Sequence, residues 1–233
     1  MLTLTVAIAP AIALIIYFYH KDKFEKEPLS LLAKAFLGGF GITLFAAIVE
    51  ILLYVVFKPV SFFPLKIFLR SFIIAGCVEE GSKYFIFRQF IYRNKEFNEP
   101  YDGILYAVMI SLGFATSENI FSVMGSSFTF GPLGILYTGS IRALFAVPAH
   151  AFLGVIMGYY LGLAKFSRPD QKQERKYLNR ALGFAILAHG LHNFFIFTGT
   201  TVGFLSTFVL FAFCWSFSLK AIRIQTEKSV FKK

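Results

Sequence analysis

The stretch LLAKAFLGGFGITLFAAIVEILLYVVF, residues 31–57, decides the fold class, because Lys34 and Glu50 are its only charged side chains. A helix needs about 20 consecutive apolar residues to cross the hydrocarbon core of a bilayer. Apolar runs of similar length recur along the whole chain. The sequence therefore predicts an integral membrane protein built from several spanning helices.

The composition of the 233-residue chain supports the same class. Hydrophobic residues make up 57% of the chain and charged residues 15%, against about 25% charged residues in an ordinary soluble domain. A soluble domain of this size could not bury so much apolar surface. The composition therefore excludes a water-soluble enzyme, a disordered tail and a disulfide-stapled secreted module. Cys77 and Cys214 lie inside apolar runs and predict neither a metal knuckle nor a disulfide.

Seven apolar runs predict an all-α, polytopic transmembrane helix bundle of about seven spans, forming a single integral-membrane domain over residues 1–233. The segments between the runs are alternately rich and poor in Lys and Arg, with the second loop as a weak exception. Since positive loops face the cytoplasm, the N-terminus is predicted outside and the C-terminus inside. Residues 126–139 contain Gly and Pro and predict an outer loop or a re-entrant turn. The runs are Leu2–Tyr19, Leu31–Phe57, Phe63–Phe87, Tyr101–Met124, Ile141–Ala164, Leu178–Phe197 and Val202–Ile222.

The net charge of +10 is interpreted as topogenic charge at helix ends and as attraction to anionic membrane lipid. No basic stripe interleaved with exposed aromatic residues lies outside the apolar runs. Nucleic acid is therefore not expected as a partner.

Ionisable side chains inside the apolar runs mark the candidate site, because a charge near the bilayer centre costs roughly 2.5–3.5 kcal/mol. In the third run, Glu79, Glu80 and Lys83 form the pattern E-E-x-x-K. Glu79 and Lys83 are four residues apart, so they share a helix face and can pair. Two adjacent carboxylates in a low dielectric should not both ionise easily, which favours one of them as a general base or acid. The alternative is a purely structural Glu–Lys pair.

The next three runs add acid–base and amide side chains, each of which alone has a structural explanation. Imidazole and carboxylate groups are common ligands of a divalent metal such as zinc. They could equally activate water or bind a carbonyl oxyanion without a metal. Four runs that all carry such groups predict one shared site. The added residues are Glu118, Asn119, His150, His189, His192 and Asn193.

Two further ionisable residues are open to more than one interpretation. Glu50 is expected to pair with a Lys or Arg rather than to act in catalysis. Arg142 is expected at the outer mouth of the fifth run or in a pair with an interior carboxylate.

Four motifs in this order resemble the PrsW family of intramembrane proteases, over about Ala9 to Phe195. They are E-E-x-x-K at 79–83, F-A-T-x-E-N at 114–119, His150-Ala151 followed by M-G-Y-Y-L-G at 157–162, and H-x-x-x-N at 189–193. The loop with Lys21-Asp22-Lys23-Phe24-Glu25 and Glu27-Pro28 also fits that family.

The resemblance implies an activity and a location. PrsW proteins are similar to the clan of type II CAAX prenyl endopeptidases, in which paired Glu residues activate water and His with Asn or Asp complete the site. The family is implicated in the first, extracytoplasmic cut of membrane-anchored anti-sigma factors, and it is usually classed as a metalloprotease. A bacterial plasma membrane is the implied location.

One departure from the family pattern bears on the metal. The last motif often ends in Asp in PrsW proteins, whereas position 193 is Asn. Asn is a weaker metal ligand, which slightly favours metal-free water activation. If a metal is present, its ligands are expected among Glu79, Glu80, Glu118, His150 and His189.

The sequence thus predicts an intramembrane endopeptidase that hydrolyses a peptide bond of a single-pass membrane protein. Glu79 or Glu80 is the expected general base, while Lys83 would hold Glu79 ionised. His150, His189 and Asn193 would polarise the scissile carbonyl, hold the oxyanion or bind a metal, and Glu118, Asn119 and His192 would complete the polar shell. An ion-coupled transporter and a non-catalytic scaffold that binds membrane helices are the alternatives.

Overall fold

A computed structural model describes residues 2–232, which form seven helices with no β-strand among them. Each of the seven apolar runs lies within one of these helices, so the prediction of an all-α protein is confirmed for this part of the chain. The helices are α1 (Leu2–Lys21), α2 (Leu29–Phe57), α3 (63–91), α4 (100–130), α5 (132–166), α6 (Gln171–Phe197) and α7 (Thr201–Glu227).

Helix α3 changes its hydrogen-bonding pattern along its length. It is α-helical over Phe63–Phe68 and Val78–Ile86, and it has the wider π-helical turn over Leu69–Cys77 and Phe87–Ile91. Irregular turns of this kind are frequent at functional sites, because they redirect the side chains that follow. In α3 the first of them ends immediately before the segment that carries the paired glutamates.

Helices α4 and α5 form a hairpin that reverses at Gly131. This residue has φ of +60° and ψ of −147°, outside the helical region, and Pro132 follows it. A glycine tolerates positive φ, and a proline lacks the N–H that would continue the helix. Across the turn, the Ser126 hydroxyl donates to the Gly134 carbonyl at 3.1 Å and the Thr138 hydroxyl donates to Ser126 at 2.8 Å. The segment 126–139 is therefore helical on both sides of one tight turn, and its predicted position at the outer side of the membrane stays a prediction.

The two arms of the hairpin pack closely because glycines face each other. A Cβ on Gly103 of α4 would lie 2.7 Å from the carbonyl oxygen of Gly158 on α5, which leaves no room for a side chain. Small residues at a helix interface let two backbones approach in this way. Helix α4 is also the most enclosed helix, since every residue from 100 to 117 is buried. It forms the centre of the bundle and contacts α1, α2 and α5 extensively.

Five helical stretches in the described part of the chain are long and apolar enough to cross a membrane. One of them, Pro100–Phe166, contains both arms of the α4–α5 hairpin. Helix α3 is not among the five. The predicted number of about seven spans and the predicted sides of the two termini stay predictions. The five stretches are Leu2–Lys21, Leu29–Phe57, Pro100–Phe166, Gln171–Phe197 and Thr201–Glu227.

Candidate functional site

Helix α3 places Glu79, Glu80 and Lys83 in the interior of the bundle, where all three are buried. The Lys83 ammonium lies 2.7 Å from Glu80 Oε1 and 3.5 Å from Glu79 Oε2. The predicted pairing of Lys83 with Glu79 is present, but the closer partner is Glu80. One cation therefore compensates the charges of two neighbouring carboxylates. Removing the ammonium would leave both carboxylates in a low dielectric without a counter-ion.

His189 of α6 joins both glutamates. Its Nδ1 lies 2.8 Å from Glu80 Oε1, and its Nε2 lies 3.8 Å from Glu79 Oε1. Because a carboxylate only accepts hydrogen bonds, Nδ1–H donates to Glu80. In a neutral ring this leaves the lone pair of Nε2 on the side of Glu79.

His150 of α5 connects α3 with α4. Its Nδ1 lies 3.0 Å from the Lys83 ammonium, and its Nε2 lies 2.9 Å from Glu118 Oε2. An ammonium only donates hydrogen bonds, so Nδ1 accepts and Nε2–H donates to Glu118. The rings of His150 and His189 are nearly perpendicular, with centroids 5.8 Å apart. We call the connected set the cavity network. It consists of Glu79, Glu80, Lys83, Glu118, His150 and His189.

Arg142 and Asn119 support the far end of this network. The Arg142 guanidinium lies 3.3 Å from Glu118 Oε2, and its Nε donates to the side-chain oxygen of Asn119. The Asn119 amide in turn donates to the Ala7 carbonyl of α1 at 3.1 Å. Of the two positions predicted for Arg142, the pair with an interior carboxylate is thus present. Asn119 anchors α4 and α5 to α1 and does not itself line the cavity described next.

A cavity of about 150 Å³ lies beside the network, with space for several water molecules. Glu79, Glu118, His150 and His189 reach it, whereas Glu80 and Lys83 do not line it. The acids of α3 and α4 and the imidazoles of α5 and α6 thus meet around one cavity. The full lining is Glu79, Glu118, Arg142, Ala146, Ala149, His150, Leu153, His189, His192 and Asn193.

His192 and Asn193 line the cavity without being tied to the network. Neither side chain makes a hydrogen bond or ion pair to any other residue in the range 2–232. Their ring nitrogens and amide group are therefore available to a bound molecule.

The partner expected for Glu50 is absent from the described residues, and Phe114 has a contact that its place in the F-A-T-x-E-N motif did not predict. No Lys or Arg among residues 2–232 forms an ion pair with Glu50, and its buried Oε1 accepts no hydrogen bond there, so the expected pairing is absent. The Phe114 ring lies 4.5 Å from the Lys83 ammonium and 6.0 Å from the His150 ring. An aromatic face attracts a cation. Phe114 and Glu118 are four residues apart, so their side chains lie on the same face of α4, and this spacing could have indicated that Phe114 is close to the network.

The residues present fit a divalent metal in donor type and spacing. One ligand atom from each of Glu79, Glu80 and His150 lies within 4.8 Å of the other two. The Oε2 atoms of both glutamates are buried and accept no hydrogen bond from the described residues. Two carboxylates and an imidazole form a donor set that suits zinc.

A second group of buried acids lies at the opposite ends of these helices, in the loops before α2 and α4 and in the first turn of α4. We call it the loop-end acidic cluster, and it consists of Asp22, Glu27, Glu99 and Asp102, all buried. The carboxyl groups of Asp22 and Glu99 lie near each other, as do those of Glu27 and Asp102. The sequence offered no periodic signal for this cluster, because its members come from two short loops and one helix start.

Hydroxyl and backbone groups supply most of the donors to this cluster. The Tyr106 hydroxyl donates to Glu27 and the Ser229 hydroxyl to Glu99. The backbone N–H of Glu99 donates to Asp102 at 2.8 Å, which closes a capping box at the start of α4.

Comparison with known proteins identifies the family. A model of the PrsW family intramembrane metalloprotease matches residues 27–218. Protease PrsW of Bacillus subtilis is 37% identical over 221 residues, which cover 93% of this chain and 92% of the relative. Protease PrsW of Geobacillus kaustophilus is 34% identical over 213 residues, covering 91% and 88%. No solved structure matches the chain.

The relatives are bacterial proteases, and residues 2–232 contain five helical stretches of membrane-spanning length and apolarity. It is therefore a peptidase and a bacterial integral membrane protein. Because both the family model and the relatives cover most of its length, the chain belongs to the PrsW family of intramembrane proteases.

Proposed function

We propose that this peptidase cleaves a single-pass membrane protein, an anti-sigma factor by the family pattern, using water activated by Glu79. The observation that carries the proposal is the difference in position and partners between the two glutamates. Glu79 lines the cavity, whereas Glu80 does not line it and is held by Lys83 and His189. A general base must reach the water that it deprotonates.

These positions support the following reaction. Glu79 removes a proton from a water molecule while the water oxygen attacks the scissile carbonyl carbon. The Asn193 amide donates a hydrogen bond to the resulting oxyanion, and the His189 Nε2 lone pair orients the water. The C–N bond then breaks, and Glu79 returns the proton to the leaving amine nitrogen.

Glu80 and Lys83 act as positioning residues in this scheme. Glu80 fixes the tautomer of His189, and Lys83 holds the two carboxylates and His150 in register. Glu118, supported by Arg142, orients His150 in the same way. If a divalent metal is bound, Glu79, Glu80 and His150 would hold it, and it would polarise the carbonyl and acidify water.

We also propose seven crossings within one membrane domain of residues 1–233, with the N-terminus outside. The α4–α5 hairpin supports this count, because a straight helix of 67 residues would be about 100 Å long, more than three times the hydrocarbon core. The two arms would be separate crossings, and α3 would be the remaining one. Glu79, Glu80 and Lys83 make α3 polar, but they compensate one another inside the bundle. A transporter or a non-catalytic scaffold is disfavoured by membership of a protease family.

The test is a proteomic comparison of membrane-protein fragments from cells that produce the wild type, Glu79→Gln, Glu80→Ala or Glu227→Gln. We expect Glu79→Gln to lower fragment formation by roughly 10²–10⁴-fold, and Glu80→Ala to abolish it, while both proteins still insert and accumulate. Glu227 is exposed at the end of α7, so Glu227→Gln is the matched control. Full activity in the Glu79→Gln variant would exclude the mechanism.

Metal dependence is tested separately on the purified protein. We expect cleavage to continue after chelation, with no stoichiometric metal in the active sample. A bound zinc ion whose removal stops cleavage would overturn the metal-free form of the mechanism and leave the protease assignment intact.

A further inference from the structure

An apolar groove of about 420 Å³ runs along the outside of the bundle between α5, α6 and α7. Its wall residues face the surroundings of the protein, since Tyr137 is 71% exposed and Phe204 is 59% exposed. The volume lies within the range of about 300–1,000 Å³ that ligand pockets occupy. The groove can therefore hold several apolar side chains or a length of hydrocarbon chain.

The groove adjoins the cavity that holds the cavity network. His192 lines both spaces. The π-helical turn Arg142–Ala146 of α5 also serves both, because Arg142 lines the cavity and Phe145 lines the groove. The groove therefore adjoins the cavity that Glu79 and His189 line.

The groups at this junction distinguish between kinds of occupant. His192 and Asn193 have no side-chain hydrogen bond within the described residues, as stated above. A lipid acyl chain has no group that could satisfy them. The backbone of an unwound peptide has both donors and acceptors, and a helix must unwind before its peptide bonds become accessible.

We propose that the groove holds the apolar transmembrane segment of the protein substrate and that the substrate chain enters the cavity beside His192. This inference rests on the proposed function. The apolar side chains of the segment lie against Phe145, Ile196, Phe204 and Phe208. The unwound residues next to the scissile bond bind His192 and Asn193.

The first experiment fills the groove with Ile196→Trp, because Ile196 lines it and is 45% exposed, so the larger ring has room to fit. The probe is the membrane protein identified by the fragment comparison, and the reference substrate is a short peptide with the same cleavage sequence and no apolar segment. We expect Ile196→Trp to raise KM for the membrane protein about tenfold or more, with kcat for the short peptide unchanged. The matched control is Leu37→Trp, which fills a separate apolar groove lined by α1 and α2.

The second experiment keeps the proposal testable if Ile196→Trp fails to fold. Phe204→Cys, in a background with Cys77→Ser and Cys214→Ser, should form a disulfide with a single cysteine placed in the transmembrane segment of the probe. Leu37→Cys should form none.

The outcomes separate the two hypotheses. If the wild type produces no cleavage, the proposed function fails. If the wild type cleaves, while Ile196→Trp has an unchanged KM and Phe204→Cys forms no cross-link, the groove inference alone is overturned. Phospholipid that co-purifies with the wild type and is lost in Ile196→Trp, with cleavage unchanged, would identify the groove as a lipid site.

Discussion

The cavity network and the loop-end acidic cluster both bury carboxylates, but their carboxylates have different partners. In the cavity network, Glu80 lies 2.7 Å from Lys83, and Glu118 lies 3.3 Å from Arg142. In the loop-end acidic cluster, carboxyl groups face one another and receive hydrogen bonds from hydroxyl and backbone groups. The carboxylates of the network thus have cationic partners, whereas those of the cluster receive these hydrogen bonds from neutral donors.

The pKa values in the loops agree with this contrast. Burial raises the pKa of Glu27 to about 7, and the nearby negative charges of Asp22 and Glu25 contribute to this rise. Burial likewise raises the pKa of Asp22 and of Glu99 above their ordinary values. We therefore expect the stability contributed by the cavity network to depend on its cations, and the stability contributed by the loop-end acidic cluster to depend on pH.

The largest effect is expected from Lys83→Met. This change leaves Glu79 and Glu80 without their shared cation, and breaking a buried ion pair from one side costs about 3–5 kcal/mol. We expect the melting temperature in detergent to fall by roughly 10 °C and peptide cleavage to be lost.

Two further variants show whether charge is the cause. Lys34→Met removes an exposed lysine of α2 and should leave the melting temperature unchanged. Adding Glu80→Gln to Lys83→Met should restore part of the lost stability, because it removes one uncompensated charge. A double variant that is no more stable than Lys83→Met would contradict the charge explanation.

A smaller effect is expected from Arg142→Gln. Arg142 and Glu118 are only partly buried, so the loss should lie near the lower end of the range of about 1.5–3 kcal/mol for charged hydrogen bonds. Because Glu118 orients His150, kcat should fall while KM changes little. Arg223→Gln, which alters an exposed arginine of α7, serves as the control. Equal kcat values for the two variants would show that Arg142 does not support the network.

The smallest effect is expected from Glu27→Gln and is visible only as a pH dependence. Between pH 4.5 and about 7 the unfolded chain has released the Glu27 proton while the folded protein retains it. The folded state binds more protons in this window, so stability falls as the pH rises through it and is constant above it. We expect the wild type to lose a few degrees of melting temperature between pH 5 and pH 7.5, at about 2–4 °C per kcal/mol.

Glu27→Gln should reduce this pH dependence, whereas Glu227→Gln should preserve it. A wild-type melting temperature that rises from pH 5 to pH 7.5 would contradict the assignment of a retained proton to Glu27.

The positions of the helices could be predicted from the sequence because each one carries an apolar run. The turn at Gly131 could not, since residues 126–139 have a composition typical of a loop. Hydrogen bonds of Ser126 and Thr138 across the turn satisfy polar groups that would otherwise suggest an irregular segment. Local composition does not reveal such pairings.

The membership of the cavity network could also be predicted, because ionisable residues in apolar runs are costly and rarely accidental. The partners within it could not be deduced from spacing. Lys83 lies closer to Glu80 than to Glu79, and its further contact, His150, is 67 residues away. Only the packing of α3 against α5 and α6 decides which carboxylate faces the cavity and which stays behind it.

The hairpin that turns at Gly131 has a consequence for biosynthesis. It carries Glu118, Arg142 and His150 together, so the contacts among these three residues join neighbouring parts of one hairpin. Chains form structure from the N-terminal end as the ribosome extends them. This half of the network can assemble while α6 is still being translated, and the contacts of His189 with Glu79 and Glu80 form only after α6 has been made.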